Sequence, residues 1–353
     1  MTPSLLCARS WRPCLYNEPV INAYYQAART GAAIVEKDLF GILKLTGSDR
    51  VSWLQGMVSN DVSKLTAGKG CYAAHLNAQG RIVGQMMIIA SEDALWLSVE
   101  RSAIGNLAAA FDKLLIMEDV QVTDVSSELE IVSVIGPKAS SVIEVWLGRP
   151  IALEGLYSHR EFGGCRVVVS ELGYDLWIPR EGVGKVLGSL AQAGATLIDH
   201  SVWDVLRTEC GLPVYGVDID ETTTFPELGE RGISYEKGCY IGQEAVAKIK
   251  YLGHVNRRFV GFEIQTSQIP DMKSSIRKDG KDVGYVTTAL FSYGLNRPIA
   301  LGFVSRAGYV PGSDVEVMSG GQSIPARIVD LPFRLSTDYR GLKRDIFESS
   351  SNK

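Results

Sequence analysis

The chain has 353 residues, of which 46% are hydrophobic and 22% are charged, and its formal net charge is −4. This length exceeds what one hydrophobic core normally organises, so two or three globular domains are predicted. The slightly acidic balance excludes nucleic-acid binding by the molecule as a whole. A membrane span is also excluded, because no apolar run approaches the roughly 20 residues that a spanning helix needs.

The six cysteines are scattered, and no two of them stand in the C-x-x-C spacing typical of zinc or cluster ligands. The sequence therefore predicts no pre-formed metal site. Scattered cysteines in a long chain are typical of a reducing compartment, and we expect the cytoplasm, with the mitochondrial matrix as the alternative. The first residues carry Arg9 and Arg12 and no acid. We interpret residues 1–19 as a disordered tail rather than a targeting signal, since the segment is short and broken by proline.

The ordered body is predicted to begin near Val20, with a helix in "INAYYQAARTGAAIVEK" that ends at Gly31. The stretch "GILKLTG" alternates like a strand, and "SDRVSWLQGMV" predicts a short helix capped by Ser48 or Asp49. The stretch "GCYAAHLNAQGRIVGQMMIIASEDALWLSVE" then predicts strands separated by turns, with another helix after them.

Further along, "LEIVSVIGP" predicts a strand, "KASSVIEVWLG" a helix, and "CRVVVSELGYDLWIPREG" a hairpin that turns near Leu172 and Gly173. This mixture predicts an α+β domain, residues 20–255, in which helices cover the sheets on one side. After about Asn256 short apolar runs alternate with turns, which predicts a small β-barrel domain, residues 256–335. The charged, Ser-rich end, residues 336–353, is predicted to be partly disordered.

The segment "KGCYIGQEAVAKIK" places one cysteine between two glycines and leads into helix-forming residues. Cys239 is therefore expected just before a helix N-terminus, and Lys237 lies two residues away. Both features favour a thiolate over a thiol. The pattern alone supports a reactive cysteine and a buried, packing cysteine equally.

Several stretches together carry a family resemblance. "KGCYIGQE" is similar to the block that marks the YgfZ-type branch of the aminomethyltransferase (glycine-cleavage T-protein) superfamily, whose members bind folate and are associated with iron–sulfur cluster assembly or repair. "LRTECGLPVYGVDIDETT" and "GYDLWIP" resemble two further blocks of the superfamily. The front of the chain resembles its opening, and "VGYVTTALFSYGLNRPIALGFV" resembles its C-terminal barrel. The likeness covers about residues 20–320.

This resemblance implies an α+β fold with a plaited folate-binding body of two ferredoxin-like subdomains, followed by a small C-terminal β-barrel, around a central cavity. The implied cofactor is tetrahydrofolate or a one-carbon derivative, bound non-covalently. The implied functional thiol is that of Cys239. The rest of its motif is formed by Lys237, Gly238, Tyr240, Gly242, Gln243 and Glu244.

The resemblance also implies folate-binding residues. Asp175 stands where the family's acid contacts the pterin ring, and a carboxylate can accept paired hydrogen bonds from an aminopterin edge. Arg207 matches the family's block arginine and could fork onto folate's glutamyl carboxylate. Two alternatives stay open, because Asp175 could be a solvent-facing strand residue and Arg207 could pair with a neighbouring acid. The further folate-binding candidates are Tyr174, Tyr215 and Asn77.

One stretch departs from the family pattern. Aminomethyltransferases carry an aspartate pair in a G-G-I-x-D-D block, whereas this chain reads "LNAQGRIVGQMMI" and places Gly84 and Gln85 there. A glutamine can hydrogen-bond, but it cannot take a proton or stabilise a developing cation with a negative charge. The departure argues against glycine-cleavage chemistry.

Together these features predict a tetrahydrofolate-binding accessory protein for iron–sulfur enzymes or assembly proteins. The alternative is a folate-dependent aminomethyl- or methyltransferase that uses a different acid. A third possibility, a scaffold or RNA-associated protein, depends on the basic segment 248–258, for which a solvated strand pair is the simpler interpretation.

Overall fold

The computed structural model describes residues 18–334. Its helices are α1 (Glu18–Thr30), α2 (Arg50–Met57), α3 (Arg101–Leu114), α4 (Ala139–Leu147), α5 (Val183–Gln192), α6 (His200–Glu209) and α7 (Gln243–Leu252). Its strands are β1 (Ala33–Glu36), β2 (Phe40–Thr46), β3 (Lys69–Leu76), β4 (Ile82–Ala90), β5 (Leu95–Glu100), β6 (Gln121–Asp124), β7 (Leu129–Ile135), β8 (His159–Phe162), β9 (Cys165–Ser170), β10 (Gly173–Pro179), β11 (Thr196–Leu197), β12 (Arg257–Ile264), β13 (Ser275–Lys278), β14 (Lys281–Ser292), β15 (Arg297–Ser305), β16 (Asp314–Ser319) and β17 (Gln322–Val329).

The predicted disordered tails, residues 1–19 and 336–353, lie outside the described residues, apart from Glu18 and Pro19, which begin α1. In the part of the chain that the structure describes, no helix has the length and apolarity needed to cross a membrane.

The strands before residue 200 form two sheets. The six-stranded sheet has the order β11-β1-β7-β10-β9-β8, and the five-stranded sheet has the order β3-β4-β5-β2-β6. Neighbouring strands are antiparallel except for the short parallel pair of β1 and β11. The hairpin predicted to turn near Leu172 and Gly173 is formed by β9 and β10, which pair Ser170 with Gly173.

The two sheets pack face to face, and helices cover their outer faces. On β2, Ile42 points toward the other sheet, whereas Leu43 belongs to the core beneath α2 and α3. On β10, Trp177 points inward and Leu176 packs with residues of α4 and α5. Because successive side chains of a strand point to opposite faces, each sheet buries both of its faces. The inward-facing side chains of both sheets therefore share one interior layer between the sheets.

The C-terminal part is a closed barrel with the strand order β12-β15-β14-β13-β16-β17. Buried polar contacts attach it to the body. The hydroxyls of Thr287 and Thr288 on β14 donate to Asp218 Oδ1 at 2.7 and 2.6 Å, and Ser292 donates to Glu209 of α6. The predicted α+β class with a small C-terminal barrel is confirmed.

Two local predictions are wrong. Asp49 occupies the N-cap position of α2, but its carboxylate accepts a hydrogen bond from the Asp119 backbone at 2.9 Å and does not cap the helix. Ser48 likewise donates to Asp119. The basic segment 248–258 contains the end of α7, a loop and the start of β12, not a strand pair, because β12 pairs with β15 and β17.

Candidate functional site

Polar side chains occupy one end of the space between the two sheets. The other end is filled by apolar side chains such as Ile42 and Trp177. Where β4, β5, β7 and β10 carry polar residues at inward positions, a cavity remains that is partly open to solvent. Side chains of α6 and of the loops around residues 37, 171, 213 and 231 complete its wall. Segments far apart in sequence thus meet at this cavity.

Asp175 presents a buried carboxylate from the six-stranded sheet. Its side chain is 1% exposed, and its Oδ1 accepts hydrogen bonds from Ser133 Oγ at 2.5 Å and Ser170 Oγ at 3.3 Å. Its Oδ2 lies 2.9 Å from Lys37 Nζ, which lies 4.3 Å from the centre of the Phe40 ring. The alternative of a solvent-facing Asp175 is therefore wrong. The cavity contains a carboxylate with an adjacent ammonium group.

Gln85 and Glu100 face the same cavity from the five-stranded sheet. The pairing of β4 with β5 sets Met86 opposite Val99, so the next residues along, Gln85 and Glu100, are neighbours. Gln85 Nε2 donates to Glu100 Oε1 at 2.5 Å, and Tyr72 donates to Gln85 Oε1 at 2.5 Å. Burial raises the pKa of Glu100 above its ordinary value of 4.5, and hydrogen bonds oppose this shift only in part.

A half-buried ion pair lines the cavity next to the turn after β9. The Arg231 guanidinium contacts Glu171 and the hydroxyl of Tyr157. Burial raises the pKa of Glu171, but the charges of Arg231 and Lys37 outweigh this effect and lower the pKa to about 2. Glu171 is therefore ionised at physiological pH. The pair also ties the loop that carries the cysteine motif to the cavity wall.

Arg207 lies in the cavity wall and is held by other protein groups. It is fully buried, and its Nε and Nη1 lie 2.8 Å from Asp204 Oδ1 and Asp218 Oδ2, respectively. Nη1 also donates to the Leu212 carbonyl at 3.2 Å. Burial lowers the pKa of Arg207, but the two aspartates outweigh this and raise it. Its geometry agrees with the alternative of pairing with a neighbouring acid, and a contact with folate stays a prediction.

The motif "KGCYIGQE" forms a loop that leads into α7. Cys239 is exposed, so the alternative of a buried, packing cysteine is wrong. Lys237 is buried instead, and its Nζ donates to the carbonyls of Gln55, Val58 and Asn60 at 2.6, 2.7 and 2.9 Å. Burial lowers the pKa of Lys237 to about 8. Lys237 thus anchors the loop to the end of α2.

The rest of the motif fixes the path of the backbone. Gly242 has φ of 85°, and a Cβ at this position would lie 2.6 Å from the Asn77 carbonyl, so the position requires glycine. Tyr240 is buried, and its N–H donates to Gln243 Oε1 at 3.3 Å. The other two motif residues are exposed: Gly238 and Glu244.

Three predicted folate-binding residues lie away from this cavity. Tyr174 precedes Asp175 on β10 and faces the other side of the sheet, toward the core beneath α4 and α5. Tyr215 lines a neighbouring depression that shares Glu100 with the main cavity. Asn77 forms the turn between β3 and β4, where its Oδ1 accepts two backbone hydrogen bonds at 3.0 and 3.1 Å. The structure therefore brings only Asp175 and Arg207 of the folate-binding predictions to the cavity.

Sequence reasoning missed several charged residues of the cavity, namely Lys37, Glu100, Glu171 and Arg231. A signal for Glu100 exists, because alternation in "LWLSVE" places the buried apolar residues of β5 on one face and Glu100 on the other. No comparable signal exists for the pair of Glu171 and Arg231, which are 60 positions apart and meet only through the tertiary fold.

The basic segment 248–258 has part of its charge neutralised. Lys250 contacts Glu230, and Arg257 Nε lies 3.1 Å from Glu227 Oε2. Cations that already have acidic partners contribute little to phosphate binding. The segment therefore gives no support to an RNA contact.

The described residues thus form two sheets packed around a polar cavity, followed by a closed β-barrel. Residues 7–233 match the family model of the GCVT N-terminal domain, and residues 257–334 match that of the glycine cleavage T-protein C-terminal barrel domain. The chain belongs to this glycine-cleavage T-protein family. The superfamily resemblance is confirmed, whereas membership of the YgfZ-type branch stays a prediction.

Individual relatives agree with this assignment. The chain is 29% identical over 327 residues to an aminomethyltransferase of Listeria monocytogenes serotype 4a, with 89% of each chain covered. It is 28% identical over 339 residues to an aminomethyltransferase of Nostoc sp., covering 90% of this chain and 89% of the relative. The crystal structure of glycine cleavage system aminomethyltransferase T from Bartonella henselae has a similar fold. Its TM-score is 0.83 at 21% identity, over 91% of this chain and 90% of that one.

Proposed function

We propose that the protein binds a tetrahydrofolate, or a one-carbon derivative of it, in the cavity between the two sheets. The observation that carries the proposal is Asp175, a buried carboxylate that lines the cavity. The cavity combines a few polar side chains with aromatic and aliphatic ones, as small-molecule sites commonly do. The resemblance to a folate-binding superfamily supports the same ligand.

The residues of the cavity fit this ligand. Asp175 Oδ2 can accept a hydrogen bond from the aminopterin edge beside its contact with Lys37, and Phe40 and Trp203 supply aromatic surface for the ring. Lys37 adds a positive charge that suits an anionic folate. A bound tetrahydrofolate would supply a carrier for a one-carbon unit. The residues of the chain would bind the folate, orient it and exclude water from it.

Folate binding is tested by calorimetric titration of the full chain with 5-formyltetrahydrofolate. We expect saturable binding, and we expect Asp175→Asn to weaken it by about tenfold or more, because the amide replaces one acceptor with a donor. The matched control is Asp282→Asn on the barrel surface, where the carboxylate pairs with exposed Arg277, and its affinity should not change. Absence of saturable binding to the unsubstituted chain would overturn the proposal.

For the role of the bound folate, we propose an accessory function in the assembly or repair of iron–sulfur enzymes, through the thiol of Cys239. The exposure of Cys239 on a loop that Lys237 anchors supports this role. The amide of Gln85, at the position of a family aspartate, also argues against glycine cleavage. The proposed partners are iron–sulfur enzymes or their assembly proteins. The proposed compartment is the cytoplasm, with the mitochondrial matrix as the alternative.

The accessory role is tested in cells that lack the protein, by measuring the activity of iron–sulfur enzymes after complementation. We expect Cys239→Ala to fail to restore this activity and Cys165→Ala, which changes a buried cysteine of β9, to restore it. Full restoration by Cys239→Ala would remove the thiol from the proposal.

A second candidate is a folate-dependent aminomethyl- or methyltransferase, and the names of the curated relatives favour it. The specific observation in its favour is the buried carboxyl group of Glu100 beside Gln85, which provides an acid in the cavity. The test is to incubate the protein with tetrahydrofolate and a panel of amine and sulfonium donors and to measure one-carbon transfer. Turnover that Glu100→Gln abolishes supports this candidate, and absence of turnover across the panel counts against it.

A further inference from the structure

The cavity contains the carboxyl group of Glu100 on β5. The family pattern places its aspartates on the neighbouring strand β4, at positions 84 and 85. Gln85 on β4 and Glu100 on β5 are cross-strand neighbours, and their side chains are joined by a hydrogen bond of 2.5 Å. Both side chains are buried, at 5% and 3% exposure, and both line the cavity. The carboxyl group of Glu100 therefore lies within one hydrogen bond of Gln85, the residue that stands in place of a family aspartate.

The orientation of the Gln85 amide is fixed by its partners. Gln85 Nε2 donates to the carbonyl of Pro213 at 3.0 Å, and a carbonyl can only accept, so the nitrogen must face Pro213 and Glu100. Gln85 Oε1 accordingly accepts from Tyr72. A carboxylate at position 85 would face the Pro213 carbonyl and the Glu100 carboxyl, and like charges repel. Glutamine at position 85 therefore suits glutamate at position 100, because the amide donates a hydrogen bond where a second carboxylate would be repelled.

The Glu100 carboxyl has one oxygen committed to the protein. Gln85 Nε2 and the Tyr215 backbone N–H, at 3.3 Å, both donate to Oε1, and the backbone N–H of Glu100 itself also interacts with this carboxyl group. The side chain lines the cavity, so the carboxyl group can still meet a ligand there. Burial also favours the protonated form, which can donate as well as accept. The titratable groups around Glu100 are Lys37, Tyr72 and Tyr215, with Asp175, Glu171 and Arg231 on the rest of the cavity wall.

We propose that Glu100 is the carboxyl group that contacts an amine nitrogen of the bound tetrahydrofolate, the contact that Gln85 cannot make as an acid. The inference rests on the proposed folate binding. It adds that the acidic group of the site stands at position 100 and that its protonation controls the affinity for folate. Glu100 is in this sense a binding residue of the site.

The test compares the full chain with Glu100→Gln by titration with 5-methyltetrahydrofolate between about pH 5 and pH 8. Glutamine has the same shape and can still accept the hydrogen bond from Gln85, so the fold should be retained, which circular dichroism checks. We expect affinity at neutral pH to fall by about tenfold or more and the pH dependence of binding to flatten. The matched control is Glu263→Gln, whose carboxylate pairs with Arg297 on the barrel, and it should behave like the unsubstituted chain.

The outcomes separate the two proposals. Equal affinity and an unchanged pH profile in Glu100→Gln overturn the inference and leave folate binding intact. Absence of binding to the unsubstituted chain overturns folate binding itself and the inference with it. If Glu100→Gln does not fold, Glu100→Asp takes its place. This variant keeps a titrating carboxyl on a shorter side chain, so a lower affinity with a retained pH profile supports the inference and an unchanged affinity contradicts it.

Discussion

Replacing Arg207 by methionine tests whether this arginine stabilises the fold or serves the ligand. The guanidinium is fully buried and holds Asp204 and Asp218 through contacts of 2.8 Å each. Methionine keeps apolar volume but removes the counter-ion of Asp218 and one partner of Asp204, which keeps a contact of 3.5 Å with His200. Removing one partner of a buried ion pair costs about 3–5 kcal/mol. We therefore expect the free energy of unfolding of Arg207→Met to fall by about 3–5 kcal/mol.

Urea unfolding, followed by far-UV circular dichroism, measures this loss. The double variant Arg207→Met/Asp218→Asn removes one of the stranded charges, so it should be more stable than the single variant by about 1–3 kcal/mol. The matched control is Arg327→Met, which breaks an exposed pair with Asp314 on the barrel and should leave stability unchanged within error. A loss below about 1 kcal/mol in Arg207→Met, combined with loss of folate binding, would refute the reasoning and assign Arg207 to the ligand.

Three further predictions concern the cavity and the motif loop. The pKa of Glu100 in the folded protein is raised above 4.5, so the stabilising contribution of this group is complete below that pH and is lost as pH rises. Because an amide does not ionise, the stability of Glu100→Gln relative to the parent should increase between about pH 4 and pH 8, and a constant difference in unfolding free energy would contradict this. Lys237→Met leaves three carbonyls without their donor, so alkylation of Cys239, followed by peptide mass spectrometry, should be several-fold faster. An unchanged alkylation rate would show that Lys237 does not hold the loop. Gly242→Ala should cost about 1–3 kcal/mol, because φ is positive and the neighbouring backbone is close, whereas Gly238→Ala meets open space and should be nearly neutral. Equal losses in these two variants would mean that the turn at 242 is not constrained.

Periodicity carried most of the fold prediction. The hairpin of β9 and β10, the strand β7 and the change to an all-β barrel after residue 256 all follow from alternation and turn residues. The same alternation explains why Asp175 points into the cavity and Tyr174 points away from it. A motif match assigns residues by position along the chain and does not distinguish the two faces of a strand. The prediction of Tyr174 therefore failed to account for the direction of its side chain.

Contacts between segments that are distant along the chain could not be predicted from the sequence. Lys237 looked like an activating charge for a thiol, but its ammonium group is buried and donates to three carbonyls at and after the end of α2. The pair of Glu171 and Arg231 likewise depends on how a loop folds over the cavity. Such pairs are set by tertiary packing, and no local propensity or spacing encodes them.

The hydroxyls of Thr287 and Thr288 limit which barrel domains of related proteins could replace the barrel of this chain. Both donate to Asp218, and Asp218 holds Arg207 in the wall of the cavity. A chimera that received a foreign barrel without two hydroxyls at these positions would leave a buried carboxylate short of two donors. The barrel and the loop after α6 that carries Asp218 therefore depend on each other. A functional chimera has to receive Thr287, Thr288 and Asp218 from the same parent protein.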